Sequence, residues 1–237
     1  MPESPLLYIA GDVHLRDGSG HFVEWLRDLA QRPAARLVLL GDLFDYWLDT
    51  DDGVARYQPA LDALKALGRC GWRVDVVRGN REAVAGRRLE AAAGIRLTWP
   101  SLDLTLGGRR LRIVHGDRLC HDPSYRALAV WLRGFPHRWW WQLHPAALQD
   151  AVARWMRRQS AGSRPRPAGQ RGPFLDPRRI VGTTRRADVL VAGHIHEAWC
   201  RRIRGVEVWL VGDWPPGHAH WIEGFADGTL QARHDAR

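Results

Sequence analysis

The stretch Val191-Ala-Gly-His-Ile-His196 is an apolar run that ends in two histidines separated by one residue. Residues i and i+2 of a strand share a face, so His194 and His196 are predicted to leave the strand end on the same side. Two imidazoles placed in this way can bind a metal ion, but they are equally typical of a polar turn. The segments upstream decide between the two interpretations.

The same pattern, an apolar run of strand length closed by glycine and a metal-capable side chain, occurs four times earlier in the chain. The groups that close these runs are Asp12 and His14, Asp42 and Asp45, Asn80 and Glu82, and His115 and Asp117. Glycine, aspartate and asparagine are common at strand ends, so any one of these motifs has an ordinary turn as its alternative explanation. Five in one chain favour a polar site built at the carboxyl ends of several strands.

Helical patterns between the strand runs indicate an α/β fold. Periodic apolar residues predict helices over residues 21–31, 54–68 and 84–93, and this alternation with strands is typical of a buried sheet. Alternating residues from 97 to 114 predict a hairpin that turns at Gly107-Gly108, and further strands are predicted at 206–211 and 220–225. The acidic run around Asp51 is predicted to be a solvated loop, and the segment 233–237 is predicted to be a solvated end.

The composition limits the classes of function. The 237 residues are enough for one large domain with an insertion, and 35 Lys+Arg against 26 Asp+Glu give a net charge of +9. This charge favours an anionic partner: nucleic acid, a phosphorylated substrate or an anionic membrane surface. The 3 cysteines lie far apart, which argues for a reducing compartment and against a disulfide framework. With no signal-peptide pattern and no apolar run near the roughly 18 residues of a membrane span, we expect a soluble or peripheral, cytoplasmic protein.

Residues 122–176 do not follow the strand and helix rhythm. The segment is helical in pattern and contains interleaved arginines and five tryptophans: Trp131, Trp139, Trp140, Trp141 and Trp155. We predict one domain formed by residues 1–121 and 177–237, with 122–176 inserted as a helical lid. Two interpretations of the insertion are open: a helical hairpin whose tryptophans are core, or a cationic, aromatic lid that contacts lipid or the membrane interface.

Taken together, the five motifs resemble those of the calcineurin-like metallophosphoesterases, and they span residues 12 to 196 in the family's order. The resemblance implies a four-layer αββα sandwich with two metal ions at the strand ends. It assigns one ion to Asp12, His14, Asp42 and His196. It assigns the second ion to Asn80, His115 and His194, with Asp42 shared between the two.

The donor atoms of these seven residues agree with that assignment. Oxygen and nitrogen ligands without a thiolate suit Mn, Fe, Co or Zn, and a shared carboxylate is how two ions are held about 3.5–4 Å apart. The seven residues are therefore predicted to be both the metal ligands and the catalytic residues. The alternative for the whole set is a coincidence of strand-end turns.

Arg81 stands where most members of that family have a histidine. A histidine can protonate a leaving alkoxide, whereas arginine stays charged and instead binds phosphate through two parallel hydrogen bonds. The site therefore suits a leaving group that needs no acid, such as a phosphate monoester with a second pKa near 6. This favours hydrolysis of a pyrophosphate bond over that of a simple alkyl phosphate.

A narrower resemblance is to the UDP-2,3-diacylglucosamine hydrolases, pyrophosphatases of lipid A biosynthesis that release UMP and 2,3-diacylglucosamine 1-phosphate. It rests on Gly79-Asn-Arg-Glu82, on His115-Gly-Asp-Arg-Leu-Cys120 and on a helical insertion that ends in Arg157-Arg-Gln-Ser160. The resemblance implies two Mn²⁺ ions, a lid over an acyl-chain cavity, and peripheral binding to the cytoplasmic face of the inner membrane. It also implies substrate contacts from Arg81, Asp122 and Ser160. It predicts no nucleic-acid and no protein partner.

The sequence departs from that subfamily at several positions. Glu82 replaces the usual aspartate, Arg164 and Pro167 stand where the family has Asn and Lys, and Glu197 begins a segment where the family commonly has Arg-Pro. One alternative function is therefore a metallophosphoesterase for another nucleotide pyrophosphate or phosphodiester, including a nuclease. The other is a non-catalytic binding module on the same fold. The absence of a separate nucleic-acid module argues against the nuclease, and the complete ligand set argues against the binding module.

Overall fold

The computed structural model describes residues 4–16, 20–82, 84–120, 175–184 and 186–236, with residues 144, 145, 148, 150, 151 and 154. The strands are β1 Leu7–Ala10, β2 Arg36–Leu39, β3 Arg73–Val77, β4 Arg96–Thr98, β5 Ser101–Leu106, β6 Arg109–Val114, β7 Val189–Ala192, β8 Ala198–Ile203, β9 Val206–Val211, β10 His218–Gly224 and β11 Leu230–Ala236. The helices are α1 His21–Ala30, α2 Asp51–Arg56, α3 Gln58–Arg69, α4 Arg87–Ala93 and α5 Pro177–Thr183, and a 3₁₀ turn covers Asp117–Leu119.

The described strands form two mixed sheets. The first has the order β11-β10-β1-β2-β3-β4, and the second has the order β5-β6-β7-β9-β8. Within the first sheet β1, β2, β3 and β4 are parallel to one another, and within the second β6, β7 and β9 are parallel. The parallel strands of each sheet therefore have their carboxyl ends on the same side, where ligand sites of α/β proteins commonly lie.

Alternation along single strands shows how the layers pack. In β1, Tyr8 packs in a core with residues of α1, α3 and α4, whereas Ile9 packs in a second core with residues of β6 and β7. In β7, Val191 faces that second core and Leu190 faces a third one, which contains Ile180 of α5. The layers are thus helix, sheet, sheet and helix, as the α/β sandwich prediction requires. The predicted lid at 122–176 lies outside the described residues except at a few positions.

Two predicted helices differ from the observed ones. The single helix predicted over residues 54–68 is two helices, α2 and α3, and α2 starts earlier because the Thr50 side chain accepts a hydrogen bond from Gly53 N at 3.1 Å. Asp51 therefore lies in the first turn of a helix rather than in an irregular loop, and its negative charge is favourable there. The helix predicted from residue 84 begins only at Arg87, after the loop that contributes to the candidate site.

Three strands were not predicted. Strand β11 continues to Ala236 and pairs with β10 as far as His218, while Arg233 and His234 are exposed, in agreement with the predicted solvated end. Strand β8 has exposed arginines at its centre and lies at the edge of its sheet, so its sequence lacks an apolar alternation. Strand β4 has only three residues.

Part of the positive charge has a structural role at the opposite, amino end of the first sheet. The buried carboxylate of Asp75 contacts Arg36 Nη2 at 2.7 Å, Arg96 Nε at 2.6 Å and Arg73 Nε at 3.4 Å. A buried carboxylate needs such partners to offset its desolvation. These three arginines are therefore explained by Asp75 and need no anionic ligand.

In the described ranges, every helix is too short or too polar to cross a bilayer.

Candidate metal centre

The seven predicted ligands follow five strands whose carboxyl ends meet at one edge of the two sheets. Asp12 and His14 follow β1, Asp42 follows β2, Asn80 follows β3, His115 follows β6, and His194 and His196 follow β7. Direct contacts join the loops of the two sheets. His194 N, after β7 of the second sheet, donates to Asp12 Oδ2, after β1 of the first sheet, at 2.6 Å, and His115 Nδ1 lies 2.7 Å from Leu40 O. Both sheets therefore contribute side chains to one site.

The ligand atoms form two groups. Asp12, His14 and His196 offer atoms that lie within 4.8 Å of one another, and so do Asp42, His115 and His194. Each group of three could hold one metal ion.

Single distances show how close the donors are. In the first group His14 Nε2 is 3.2 Å from His196 Nε2, and His196 Nε2 is 3.9 Å from Asp12 Oδ1. In the second group His115 Nε2 is 3.7 Å from Asp42 Oδ1. Asn80 joins this second group, since its Nδ2 is 3.2 Å from His194 Nδ1. The structure thus brings all seven residues together.

The backbone of the ligand loops is unusual. Asp12, His14, Asp42, His194 and His196 all have positive φ angles, between 49° and 70°, and Arg204 is the one other non-glycine residue with this feature in the described part of the chain. A left-handed conformation costs a non-glycine residue about 1–3 kcal/mol, so it persists only where surrounding contacts enforce it. Five such residues at one edge indicate that the loops are held in strained conformations that direct their side chains into the site.

Backbone amides hold the two aspartates in place. Asp42 Oδ1 accepts hydrogen bonds from Asn80 N at 2.6 Å and Arg81 N at 2.9 Å, and Asp12 Oδ2 accepts one from His194 N at 2.6 Å. A side chain at Gly79 would overlap Asp42 Oδ1. The glycine that precedes the asparagine is therefore required for the close approach of the β2 and β3 loops.

Two buried polar atoms of the site, Asp12 Oδ1 and His115 Nε2, have no hydrogen-bond partner among the described residues. An unsatisfied buried donor or acceptor costs about 1–3 kcal/mol. The contact of His115 Nδ1 with the Leu40 carbonyl places a proton on Nδ1, so in the neutral ring the lone pair is on Nε2, which lies 3.7 Å from Asp42 Oδ1. Burial lowers the pKa of His115, but the charges of Asp42, Asp117 and Asp12 outweigh it and raise that pKa in the metal-free chain, so binding of a cation at Nε2 would displace a proton. One carboxylate oxygen and one imidazole lone pair without partners are the atoms that a divalent cation would satisfy, so the residues present fit a metal centre.

The pKa shifts agree with this interpretation. Burial lowers the pKa of His14 and that of His194 to about 4, so both imidazoles are neutral at pH 7, which is the form that binds metal. Burial raises the pKa of Asp12 to about 8. Burial also opposes ionisation of Asp42, but the neighbouring His115 and His14 outweigh it and lower the pKa of Asp42 to about 2.

Glu82 has a role that the sequence analysis did not assign. Its carboxylate is fully buried and accepts hydrogen bonds from the backbone N–H of Asp42 and of Leu43, each at 2.8 Å, and from Phe44 at 3.2 Å. Glu82 follows β3 and these amides follow β2, so one side chain holds the two ligand loops together. The sequence signal is its place two residues after Asn80 at the end of a strand run, which marks Glu82 as a metal-capable group and does not distinguish a ligand from a residue that supports one.

Asp213 is a second residue that the sequence analysis missed. Its Oδ2 is 3.5 Å from His196 Nδ1, the ring nitrogen other than the one that faces His14. A carboxylate in this position orients a metal-binding imidazole and raises its basicity. The signal was present, because Gly212-Asp213 closes the apolar strand β9 in the same way as the five motifs close theirs.

The predicted substrate contacts are only partly covered. Arg81 lies beside the centre, because its backbone N–H donates to Asp42 Oδ1 at 2.9 Å. Burial is the largest cause of the low pKa of His14; the charge of Asp42 opposes it, and the charges of His196 and Arg81 lower that pKa further. Asp122 and Ser160 lie outside the described residues.

Comparison with known proteins gives the class. Residues 6–198 match the family model of the calcineurin-like phosphoesterases, and the chain belongs to that family.

Relatives with narrower names are similar over most of the chain. A protein of Ralstonia nicotianae named UDP-2,3-diacylglucosamine hydrolase is 29% identical over 248 residues, which cover 96% of this chain and 91% of the relative. Proteins with the same name are 31% identical in Photorhabdus laumondii, over 83% of this chain and 84% of the relative, and 26% identical in Haemophilus influenzae, over 90% and 92%. These similarities link the chain to that group of phosphoesterases at low identity.

Proposed function

We propose that this chain is a dinuclear metal-dependent hydrolase that cleaves the pyrophosphate bond of UDP-2,3-diacylglucosamine to UMP and 2,3-diacylglucosamine 1-phosphate, a step of lipid A biosynthesis. The observation that carries the metal-dependent chemistry is the pair of His/Asp groups at one sheet edge, with Asp12 Oδ1 and His115 Nε2 buried and unpartnered. The names of the relatives and the arginine at position 81 support the narrower choice of substrate.

The seven ligands would divide between two divalent ions. Asp12, His14, Asp42 and His196 would hold one ion, and Asp42, Asn80, His115 and His194 the other. We propose Mn²⁺, while Fe, Co and Zn suit the same oxygen and nitrogen donors. Two bound ions would supply neutralising charge for the phosphoryl oxygens and would lower the pKa of water at the site.

The protein's own side chains determine which leaving group the site can handle. His14 and His194 have pKa values of about 4, so at pH 7 both rings are neutral and neither is the imidazolium that could act as a general acid on a leaving oxygen. Arg81 keeps its charge and can bind the departing phosphate bidentately without moving a proton. A leaving phosphate monoester is stable as an anion at this pH, so a pyrophosphate bond matches these residues better than an alkyl ester does.

The lipid half of the substrate requires contact with a membrane or with a cavity for acyl chains. We assign that role to the insertion at 122–176, with Asp122 and Ser160 as substrate contacts beside Arg81. The enzyme would then act as a peripheral protein at the cytoplasmic face of the inner membrane. The tryptophans and arginines of the insertion are residue types that favour the membrane interface.

The test is UMP release from UDP-2,3-diacylglucosamine by the purified protein with added Mn²⁺, beside hydrolysis of bis(p-nitrophenyl) phosphate. His14→Ala and Asp42→Ala are the variants, and both are expected to lose activity on both substrates. Rapid turnover of the lipid by the unaltered protein supports the proposal. Hydrolysis of the generic diester alone would contradict the lipid substrate and retain the phosphoesterase. A protein that holds two ions but cleaves neither compound would favour another pyrophosphate substrate or a binding module.

A further inference from the structure

Trp99 is the one large aromatic side chain that the described part of the chain leaves exposed, with 49% of its surface accessible. Burying an indole is strongly favourable, and most tryptophans described here are buried or half-buried. An exposed tryptophan beside a catalytic centre therefore suggests a ligand contact.

The strand pairing places Trp99 on the side of the sheets where the strands have their carboxyl ends and where the proposed metal ligands lie. Thr98 pairs with Val77 at the end of β3, three residues before Asn80, and Arg78 N donates to Thr98 O at 3.0 Å. On the other side Ser101 pairs with Val114, the residue before His115. Because neighbouring strands are about 4.8 Å apart, the Trp99 backbone lies within about two strand spacings of the second ligand group.

Arg118 accompanies the indole. Its guanidinium carbon lies 5.6 Å from the centre of the Trp99 ring, and the residue is exposed, three positions after His115. A guanidinium beside an indole gives a flat surface with a fixed positive charge and free hydrogen-bond donors. The pair is here called the Trp99–Arg118 platform.

We infer that the Trp99–Arg118 platform binds the nucleobase of a nucleotide whose phosphate lies at the metal centre. This inference rests on the proposed function and names the subsite for its nucleotide half. The indole offers a π-face for stacking, and the guanidinium can donate to carbonyl oxygens of a pyrimidine. Trp99 follows β4, the edge strand that lies outside β3, and Asn80 follows β3, so a nucleoside that extends outward past Asn80 would meet the platform.

A second tryptophan–arginine pair provides a matched control. Arg201 lies 5.1 Å from the ring of Trp199, on β8 at the opposite edge of the second sheet. Trp199 differs because it is half-buried and its Nε1 already donates to Glu197 at 3.3 Å. The same residue types thus flank the site on both sides, and only the Trp99 pair has an exposed ring.

The experiment is calorimetric titration of the Mn²⁺-loaded protein with UMP and with ribose 5-phosphate, which has the sugar and phosphate but no base. The unaltered protein is expected to bind UMP more tightly than ribose 5-phosphate. Trp99→Ala should weaken UMP binding about tenfold or more, the effect typical of a lost base stack, and leave ribose 5-phosphate within about twofold. Trp99→Phe should retain most of the UMP affinity, Arg118→Ala should lose part of it, and Trp199→Ala should match the unaltered protein.

Three outcomes would overturn the inference: equal weakening of both ligands by Trp99→Ala, an unchanged UMP affinity, or a selective loss in Trp199→Ala. Loss of binding to anionic vesicles in Trp99→Ala, with UMP affinity unchanged, would likewise overturn it and assign the ring to the membrane. The titration does not need lipid turnover. A protein that fails to cleave UDP-2,3-diacylglucosamine but shows the UMP pattern would therefore refute the proposed substrate and retain the platform.

Discussion

The Glu82 carboxylate accepts the backbone N–H of Asp42 at 2.8 Å, and Asp42 is the residue shared by the two proposed ions. The same carboxylate also accepts the next two amides of the β2 loop. The position of Asp42 is therefore determined by Glu82, a residue that is not among the seven proposed ligands.

We predict that Glu82→Gln lowers metal affinity and activity by about 10–100-fold, the range found for residues that support metal ligands. An amide has one acceptor oxygen where the carboxylate has two, so at least one buried N–H of the loop loses its partner. The loss should also lower the free energy of unfolding by about 1–3 kcal/mol. Metal titration followed by elemental analysis, with urea unfolding of the same sample, measures both effects.

Glu90→Gln is the matched control for this variant. Glu90 Oε1 also accepts a backbone N–H, that of Leu97 at 3.0 Å, but it lies on α4 away from the centre. We expect Glu90→Gln to lose some stability and to keep its metal affinity. Equal metal affinities for the two variants would show that Glu82 has no special relation to Asp42.

Asp213→Asn should weaken binding of the ion that is assigned to Asp12, His14 and His196. The Asp213 carboxylate lies 3.5 Å from His196 Nδ1, and replacing it with an amide removes the charge that orients the ring. We predict about a 10–100-fold loss of affinity for this ion and little change for the other. Asp235→Asn is the control, because Asp235 contacts His21 at 3.8 Å in a comparable carboxylate–histidine pair outside the centre. Equal losses at both metal sites would contradict the assignment.

The metal content of ligand variants should separate shared and unshared ligands. Asp42→Ala should lose both ions, since the carboxylate belongs to both groups of the proposal. His196→Ala should retain close to one ion per chain, because the donors of Asp42, Asn80 and His115 remain. Elemental analysis after removal of loosely bound metal gives the two stoichiometries, and one retained ion in Asp42→Ala would show that Asp42 is not shared.

Arg81 should act on the substrate and leave the ions in place. Arg81→Ala is predicted to lower kcat/KM for a nucleotide pyrophosphate by about 10–100-fold, the loss of one or two charge-assisted hydrogen bonds, with unchanged metal content. Arg81→Lys should recover only part of this loss, because an ammonium group cannot form the bidentate contact. Arg88→Ala is the control, as Arg88 is partly exposed on α4 and pairs with Asp51. A loss of metal in Arg81→Ala would instead assign Arg81 to the support of Asp42.

The sequence was sufficient to predict the strands that precede the proposed metal ligands. Strands β1, β2, β3, β6 and β7 are the five apolar runs that the sequence predicts, each followed by a glycine within two residues. A run buried on both faces has a clear signal, because neither face needs polar residues. The convergence of the seven ligands followed from the rule that parallel strands end at one edge.

Other features depended on contacts between distant segments. Edge strand β8 has exposed arginines in the middle, so its pattern is that of a loop until its pairing with β9 is known. Glu82 and Asp213 gained their roles from neighbours 40 and 17 residues away in sequence, Asp42 and His196. Carboxylates at strand ends are common, and only the three-dimensional arrangement distinguishes a ligand from the residue that positions one.

The buried carboxylates predict how pH affects the metal-free protein. The pKa of Asp12 is raised from 3.8 to about 8 by burial, and that of Glu82 from 4.5 to about 7 by burial and the charge of Asp42. For each carboxyl group, at pH values between its unfolded pKa and its folded pKa, the folded chain binds more protons than the unfolded chain. The free energy of unfolding therefore falls as pH rises through that interval. His14 and His194, whose pKa values are lowered from 6.5 to about 4, have the opposite effect, but only below about pH 6.5.

We therefore expect the free energy of unfolding of the chelator-treated protein to fall from pH 6.5 to 8.5. The Mn²⁺-loaded protein should lose less over the same range, because a bound cation stabilises the ionised form of Asp12. Asp12→Asn removes one of the two raised carboxyl groups, so its metal-free form should have a shallower pH dependence than the unaltered chain. Urea unfolding at three pH values, with and without metal, measures each slope. A metal-free stability that rises across this range would mean that Asp12 is ionised in the folded chain without a cation, and would contradict the raised pKa of its carboxyl group.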